Sequence, residues 1–392
     1  MRKETIHLLS NTAALFISYL AVAMPLPVVS VHVTNELGFA NSLGGLAVGL
    51  AFLATIFTRG PSGRLADRQG GKRCMMIGLL LYALASGVCC ASVSFALDSA
   101  WSFALLLAGR LLLGVGESLT MIGMLSWNIA LLGPQRSGLV FSLVGASVYG
   151  AIGAGGPLGL WLFEHFGFAK MMLVCCPLPL VGWLVIRAAP DSPPVVVAAA
   201  HGSAVSFFRV LAAIWRQGAI VGSQGVGFAA LGAFISLYFS SKGWPHAGFS
   251  LTFFGVGFVL MRLACGHLPD KFGGGPVAIG SLGVAAIGQL LLWLAPMPEI
   301  AQLGAFCAGV GCSLVYPAMG VEVVRITRPE LRGAALGGFA IFQDVAYGLT
   351  APLAGLFADR FGYPVVFFLG LIAALLGLLL AVTATRRRRP SI

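Results

Sequence analysis

Apolar residues in this chain fall in long blocks, without alternation. The stretch "FFLGLIAALLGLLLAV" (367–382) contains no polar side chain. About 20 consecutive apolar residues span the hydrocarbon of a bilayer as a helix. Blocks of that kind occupy roughly 7–33, 42–62, 73–95, 101–125, 137–161, 169–188, 217–240, 248–268, 275–296, 299–324, 333–357 and 362–384. The pattern therefore predicts an all-α membrane protein with twelve transmembrane helices. A membrane β-barrel would need alternating segments of about 10 residues, which these continuous runs contradict.

Composition agrees with lipid as the solvent. Of 392 residues, 58% are hydrophobic and 9% are charged, against about 25% charged in soluble domains. The first block follows Arg2 and Lys3 as a signal peptide would. It is too long and leads into eleven further blocks, so it reads as a retained helix.

The net charge is +11, and its distribution explains it. With the N-terminus inside, the cytoplasmic segments hold nineteen of the 24 Lys and Arg residues, among them Arg59, Arg64, Arg136, Arg325 and Arg386 to Arg389. The external segments hold three, Lys170, Lys242 and Arg360, and Arg110 and Arg262 fall within spans. That bias places both termini in the cytoplasm. It is a topology signal, not a nucleic-acid footprint.

The chain also repeats itself. "GVGESL" (114–119) returns as "GVGCSL" (309–314), 195 positions on (309 − 114). "PQRSG" (134–138) matches "PELRG" (329–333), and "PLGLWLFEHFGF" (157–168) matches "PLAGLFADRFGY" (352–363). At a slightly different offset, "GRLADRQGG" (63–71) matches "GHLPDKFGG" (266–274). Two copies of a six-helix unit are implied, the construction many transporters use around a midplane site. The expected division is an N-terminal bundle at 1–188, a linker at 189–216 and a C-terminal bundle at 217–392. The linker reads as cytoplasmic. Its end, Val205 to Trp215, reads as a short amphipathic helix at the membrane surface.

"GRLADRQGGKR" (63–73) resembles the loop motif of major facilitator superfamily transporters, and "GHLPDKFGG" resembles its second-half copy. "RLLLGVGES" (110–118) resembles the Arg-containing motif of span 4 in that family, and "GAIGAGGPLG" (150–159) resembles the Gly-Pro motif of its drug/proton antiporter branch. "SLVYPAMGVEVVR" (313–325) and "RGAALGGFAIFQD" (332–344) resemble an arabinose-efflux-permease-like bacterial subgroup. The resemblance implies two pseudo-symmetric bundles and transport by alternating access. It further implies a gate: Asp67, with Arg68 and Arg73, would meet the start of span 11 near Gly333 in one conformation and leave it in the other. A carboxylate near a helix N-terminus gains about 0.3–1 kcal/mol when exposed. Asp270 holds the matching place in the second copy. Gly63 and Gly70 would permit a tight reversal and close helix approach. The pattern departs at Gly71, where the family often has Arg. In span 5, Gly156 would serve close packing and Pro157 would bend the helix.

Candidate chemistry lies where a charge sits in a span. Glu117 is one such residue, and an ionised acid at the bilayer centre costs about 2.5–3.5 kcal/mol. It needs a wet cavity or a proton. Arg110 is seven residues earlier and about 10 Å away along the helix, so its field and the cost of burying charge oppose each other at Glu117. Asp344 is a second acid at mid-span, beside Gln343, and Tyr149 is its repeat mate (344 − 195). Either acid could instead make a structural polar contact. Asn11, Tyr19, Gln224 and Tyr316 are polar residues in spans that line the cavity in this family, which makes them substrate candidates with Tyr149 and Gln343. Glu322 is explained by an i,i+3 pair with Arg325. None of the six histidines draws attention.

The expected function is a proton-coupled secondary transporter expelling a small organic molecule from a bacterium across its inner membrane, as a monomer. Proton-coupled or facilitated import of a sugar or organic acid is the rival reading. A membrane enzyme or sensor would need a catalytic constellation or an added soluble domain, and the sequence offers neither. The eight cysteines lack ligand spacing, so no metal is expected, and with no phosphate loop present, no cofactor is expected.

Overall fold

A computed structural model describes residues 2–94, 98–133, 136–189, 191, 207–328 and 331–386. Among these the secondary structure is helical, without strands. The long helices are α1 (Arg2–Ala23), α2 (Asn41–Gln69), α3 (Gly71–Ser94), α4 (Ser99–Leu132), α5 (Ser137–Cys175) and α6 (Pro177–Arg187). They are followed by α7 (Phe207–Ser241), α8 (Gly248–Cys265), α9 (Gly274–Leu294), α10 (Pro298–Ile326), α11 (Arg332–Phe361) and α12 (Pro364–Arg386). Nine helical runs among the described residues are long and apolar enough to cross a membrane. One of them, Ser137–Arg187, has 51 residues, about 76 Å if straight. It crosses twice, because Gly167 breaks it at φ 78°. Adding α1 and α11 gives twelve crossings.

The helices group into two compact units, Met1–Val197 and Ala198–Ile392. Within the first, α3 packs on α4 and α6, α2 on α4, and α1 on α5 and α6. Within the second, α9 packs on α10 and α12, α8 on α10, and α7 on α11 and α12. The pairing scheme is the same. So is one local detail: Gly167 and Gly362 both leave the helix at φ 78°, a conformation that glycine adopts without steric cost.

Three sequence expectations are corrected here. Span 1 is not one helix to residue 33. Pro25 and Pro27 cannot donate backbone hydrogen bonds, so α1 stops at Ala23 and the chain resumes in a short helix, Val29–Val31, and a π-helical turn, His32–Glu36. The described part of the proposed surface helix, from Phe207 to Trp215, is the start of α7 and has no boundary before Ser241. Finally, α5 loses helical geometry at Gly167, not at Pro157. The remainder of the linker (190 and 192–206) and the tail after Arg386 lie outside the described residues.

Candidate functional site

The repeated "GVG" phrase is a packing device. A Cβ on Gly114 would stand 2.1 Å from the Ala51 carbonyl oxygen of α2. A Cβ on its repeat mate Gly309 would stand 2.0 Å from the Phe254 oxygen of α8. Two residues on, Gly116 faces α3 at the Gly78 oxygen, 3.0 Å away, and Gly311 faces α9 at the Ala285 amide, 2.3 Å away. Each phrase thus seats one helix against two neighbours at backbone contact. Small residues drive helix association in lipid through such close approach. The α3–α4 seam repeats at seven-residue spacing. Gly71 lies on Gly123 (2.6 Å to its oxygen), Gly78 on Gly116 (2.7 Å), and Gly109 on Ala85 (3.2 Å). The seven-residue period of this seam is present in the sequence as the spacing of Gly71, Gly78 and Ala85 on one helix and Gly109, Gly116 and Gly123 on the other.

Once the glycines fix the crossings, the next residue of each phrase is aimed at the first helix of its unit. Tyr19 of α1 donates its hydroxyl to Glu117 Oε1 at 3.0 Å. In the second unit, Gln224 of α7 donates its amide to Cys312 Sγ at 3.0 Å. The residue after that tethers the second helix: Ser118 Oγ donates to Ser62 Oγ at 3.1 Å, and Ser313 Oγ donates to the Phe258 carbonyl at 2.9 Å. Tyr82 and Tyr149 lie within electrostatic range of Tyr19, and Tyr82 also of Glu117. Glu117 thus has one phenol from α1 at hydrogen-bond distance and one from α3 nearby. The buried hydroxyls of Tyr82 and Thr120 lie beside each other where α3 meets α4.

Arg110 is buried and does not reach Glu117. Its Nε donates to the Ala47 carbonyl at 2.8 Å and its Nη2 to the Val48 carbonyl at 3.2 Å. The guanidinium ties α4 to α2 and leaves its charge to act on Glu117 through space.

Asn11 is fully buried and donates to Asn128 Oδ1 at 3.1 Å, so it clasps α1 to α4. In the second unit, Asp344 is buried in α11. Its neighbour Gln343 donates to the Tyr347 hydroxyl at 2.5 Å, and the Tyr347 ring packs 4.9 Å from Phe228. Tyr316 is half-buried, with its ring 4.9 Å from Phe339. The structure brings Glu117, Tyr19 and Tyr149 together in one unit, and Gln224, Tyr316, Gln343 and Asp344 belong to the other.

The loop motif has a different shape from the one expected. Gly63 lies inside α2, with nothing within 4 Å of where a Cβ would stand. It makes neither a reversal nor a close contact, because the helix continues to Gln69. Gly70 makes the turn at φ 86°, as Gly273 does at φ 85° in the second unit. Gly71 is wedged against α4, where a Cβ would stand 2.4 Å from Ser126 Oγ. No arginine fits there, which is the physical reason for the departure from the family pattern. Asp67, Arg68, Arg73 and Asp270 are exposed.

In α5, Gly156 is buried, but the close contacts belong to its neighbours. A Cβ would lie 2.7 Å from Ala23 Cβ at Gly155 and 2.1 Å from the Met24 oxygen at Gly159. Pro157, half-buried, lies between these two contacts. Glu322 does not serve Arg325. Its Oε1 accepts the Gly274 amide at 3.1 Å, where the first amide of α9 lacks a partner within the helix.

Comparison with known proteins places this architecture. A sequence model described as Major Facilitator Superfamily matches residues 12–250 and 245–392. An MFS-type transporter of Salmonella typhimurium is 40% identical over 373 residues, covering 95% of each chain. An MFS-type transporter of Burkholderia mallei is 36% identical over 384 residues, covering 98% of this chain and 93% of its own. Among solved structures, a D-xylose-proton symporter superposes with a TM-score of 0.74 at 18% identity, over 95% of this chain and 97% of its own. The human organic anion transporter MFSD10 gives 0.71 at 16%, over 96% and 99%. With the duplicated helix pairing, the matched motifs and relatives similar over nearly their whole length, the chain belongs to the Major Facilitator Superfamily and is a multi-pass membrane transporter.

Proposed function

We propose that the protein is a proton-coupled antiporter that expels a small organic molecule by alternating access, with Glu117 as its principal proton-carrying group. It works as a monomer in a bacterial inner membrane, with both termini in the cytoplasm. Residues 1–188 and 217–392 act as its two moving bundles and 189–216 as the linker that frees them.

The observation carrying this reading is the Tyr19–Glu117 contact of 3.0 Å. An acid inside the membrane accepts a hydrogen bond from a phenol of the first helix. The nearest arginine on the same helix is committed to backbone carbonyls. A neutral donor such as this phenol is not left as a buried charge when the carboxylate takes up a proton. A buried ion pair resists that change, because losing one partner strands the other charge. Asp344 is the second candidate for proton or cation binding. Asn11, Tyr149, Gln224, Tyr316 and Gln343 remain the proposed substrate contacts, and Gly63, Asp67, Arg68, Gly70, Arg73, Asp270, Gly156 and Pro157 the proposed gating set.

The rival reading is proton-coupled import of a sugar or organic acid. It draws on fold similarity to a D-xylose-proton symporter and to the nucleoside transporter NupG.

Solid-supported-membrane electrophysiology on proteoliposomes tests the proposal with a panel of organic cations, anions and sugars. Currents that vanish in Glu117→Gln and shrink in Asp344→Asn are expected. Unchanged proton-coupled currents in both variants would remove the site assignment. Substrate moving with an imposed proton gradient, not against it, would replace antiport with import.

A further inference from the structure

The pair His32 and Glu36 has no part in anything above. His32 is 1% exposed, in the π-helical turn after α1. Its Nδ1 meets the carboxylate of Glu36, whose own side chain is 46% exposed. The imidazole lies flat on Phe168, with ring centroids 4.0 Å apart and planes 8° from parallel. Its other nitrogen, Nε2, is buried and has no hydrogen-bond partner. A single imidazole thus faces a surface acid on one side and the protein interior on the other. π-Helical turns concentrate at functional sites.

Inward of this pair lies a small cavity. Val29, one turn before His32, and Met172, one turn after Phe168, line it together with Arg110, Ser86, Cys89 and Pro25. Its volume is about 10 Å³, near the lower limit for one water. Two groups could hold that water. The Arg110 guanidinium is one. The Ala21 carbonyl is the other, since Pro25 has no N–H to offer it. Arg110 then stands two turns before Glu117 on α4.

We infer that Glu36 and His32 form the outer port of a proton path that passes the Arg110 cavity and ends at Glu117. The inference rests on the reading of Glu117 as the proton carrier and of this end of α1 as external. In the transfer, Glu36 as the acid gives its proton to Nδ1, which leaves Glu36 as carboxylate and the ring as an imidazolium. Rotation about Cβ–Cγ turns Nδ1–H away from Glu36 to interior water, which takes that proton. The neutral ring, still carrying Nε2–H, rotates back and accepts again once Glu36 has taken a proton from outside. Few other titratable or charged groups face this place. On α3 they are the thiols of Cys89 and Cys90, and Cys90 Sγ donates to the Ala169 carbonyl at 3.4 Å. On α4 there is Arg110. On α5 there are Glu164, His165 and Lys170, all exposed, with His165 bonded to the Trp161 carbonyl and Lys170 over the Phe166 ring; at its end stand the thiols of Cys175, near Cys89, and Cys176, which donates to the Met172 carbonyl at 3.4 Å. The first charged residue of α2 is Arg59, far along the helix from the packed end.

The test requires no substrate. Full-length protein in nanodiscs is subjected to an acid jump, and the protonated-carboxyl infrared band of Glu117 is followed in time. The band is identified by its loss in Glu117→Gln. His32→Gln and Glu36→Gln should each slow its appearance at least about a hundredfold, the lower end of the range typical of positioned proton-transfer groups, and leave its final amplitude intact. Glu36 is half-exposed, so its variant guards against a folding artefact at His32. A rate unchanged in both variants would overturn the relay and leave Glu117 standing. Absence of any titrating Glu117 band in the wild type would overturn both.

Discussion

Glu117 and Cys312 occupy the same place in the two six-helix units, each facing the first helix of its own unit. Glu117 accepts from Tyr19 at 3.0 Å, and Cys312 accepts from Gln224 at the same distance. The backbone solution was duplicated and the titratable group was not. Glu117→Gln should therefore abolish proton-driven transport and preserve exchange of substrate between equal pools, measured by counterflow in proteoliposomes. Cys312→Ala should leave both within about twofold, since it removes a weak acceptor. Equal losses from the two substitutions would contradict the asymmetry.

Tyr19→Phe probes the same contact from the other side. Removing the phenolic donor leaves the Glu117 carboxylate with one hydrogen bond fewer, which costs about 1.5–3 kcal/mol for its charged form. The pH at which proton-driven transport is half-maximal should move upward, because the neutral acid is penalised less than the anion. A pH profile identical to the wild type would show that the phenol does not hold the acid.

The glycine seams predict a graded stability series. Alanine at Gly114 or Gly309 places a Cβ within 2.1 Å of a carbonyl oxygen, so helices must separate, at about 1–3 kcal/mol for overpacking. Gly63→Ala meets nothing within 4 Å and sits in a helix, where alanine gains about 0.5–1 kcal/mol over glycine. Thermal unfolding in detergent should rank Gly63→Ala at or above the wild type and the other two below it.

The fold was legible because lipid imposes one simple rule, that long apolar runs become helices. The run ending at Arg187 and the 195-residue echo were enough for twelve spans and two units. What could not be read was which polar residue faces which neighbour. Glu322 looked paired to Arg325 because local spacing allowed it, yet it serves an amide 48 positions away. Gly63 looked like a turn residue because the motif began there, but the turn is at Gly70. His32 drew no attention, since nothing in the sequence shows that its ring lies flat on Phe168. The Glu322 and His32 misses concern contacts between distant segments, where register decides and local pattern is silent; the Gly63 miss concerns where a helix ends.

Glu322→Gln should keep much of its cap and Glu322→Ala should lose it, at about 0.5–2 kcal/mol as for other helix N-terminal caps. Arg325→Ala should change stability little. The reverse ranking would restore the i,i+3 pair as the partner that matters.

Asn11 separates a structural role from a substrate role. It is a proposed substrate contact, yet the structure buries it completely against Asn128, which donates in turn to the Met124 carbonyl at 2.8 Å. Removing one partner of a buried pair strands the other, at about 1–3 kcal/mol, and removing both with apolar groups of similar shape can be nearly neutral. Asn11→Leu should then destabilise the protein, and the double variant Asn11→Leu/Asn128→Leu should recover most of the loss. If Asn11 only clasps α1 to α4, transport should recover in the double variant along with melting temperature. If it also binds substrate, stability should return and transport should not. The two readouts taken together assign the residue, and a double variant less stable than either single one would show that the pair does not act as a unit.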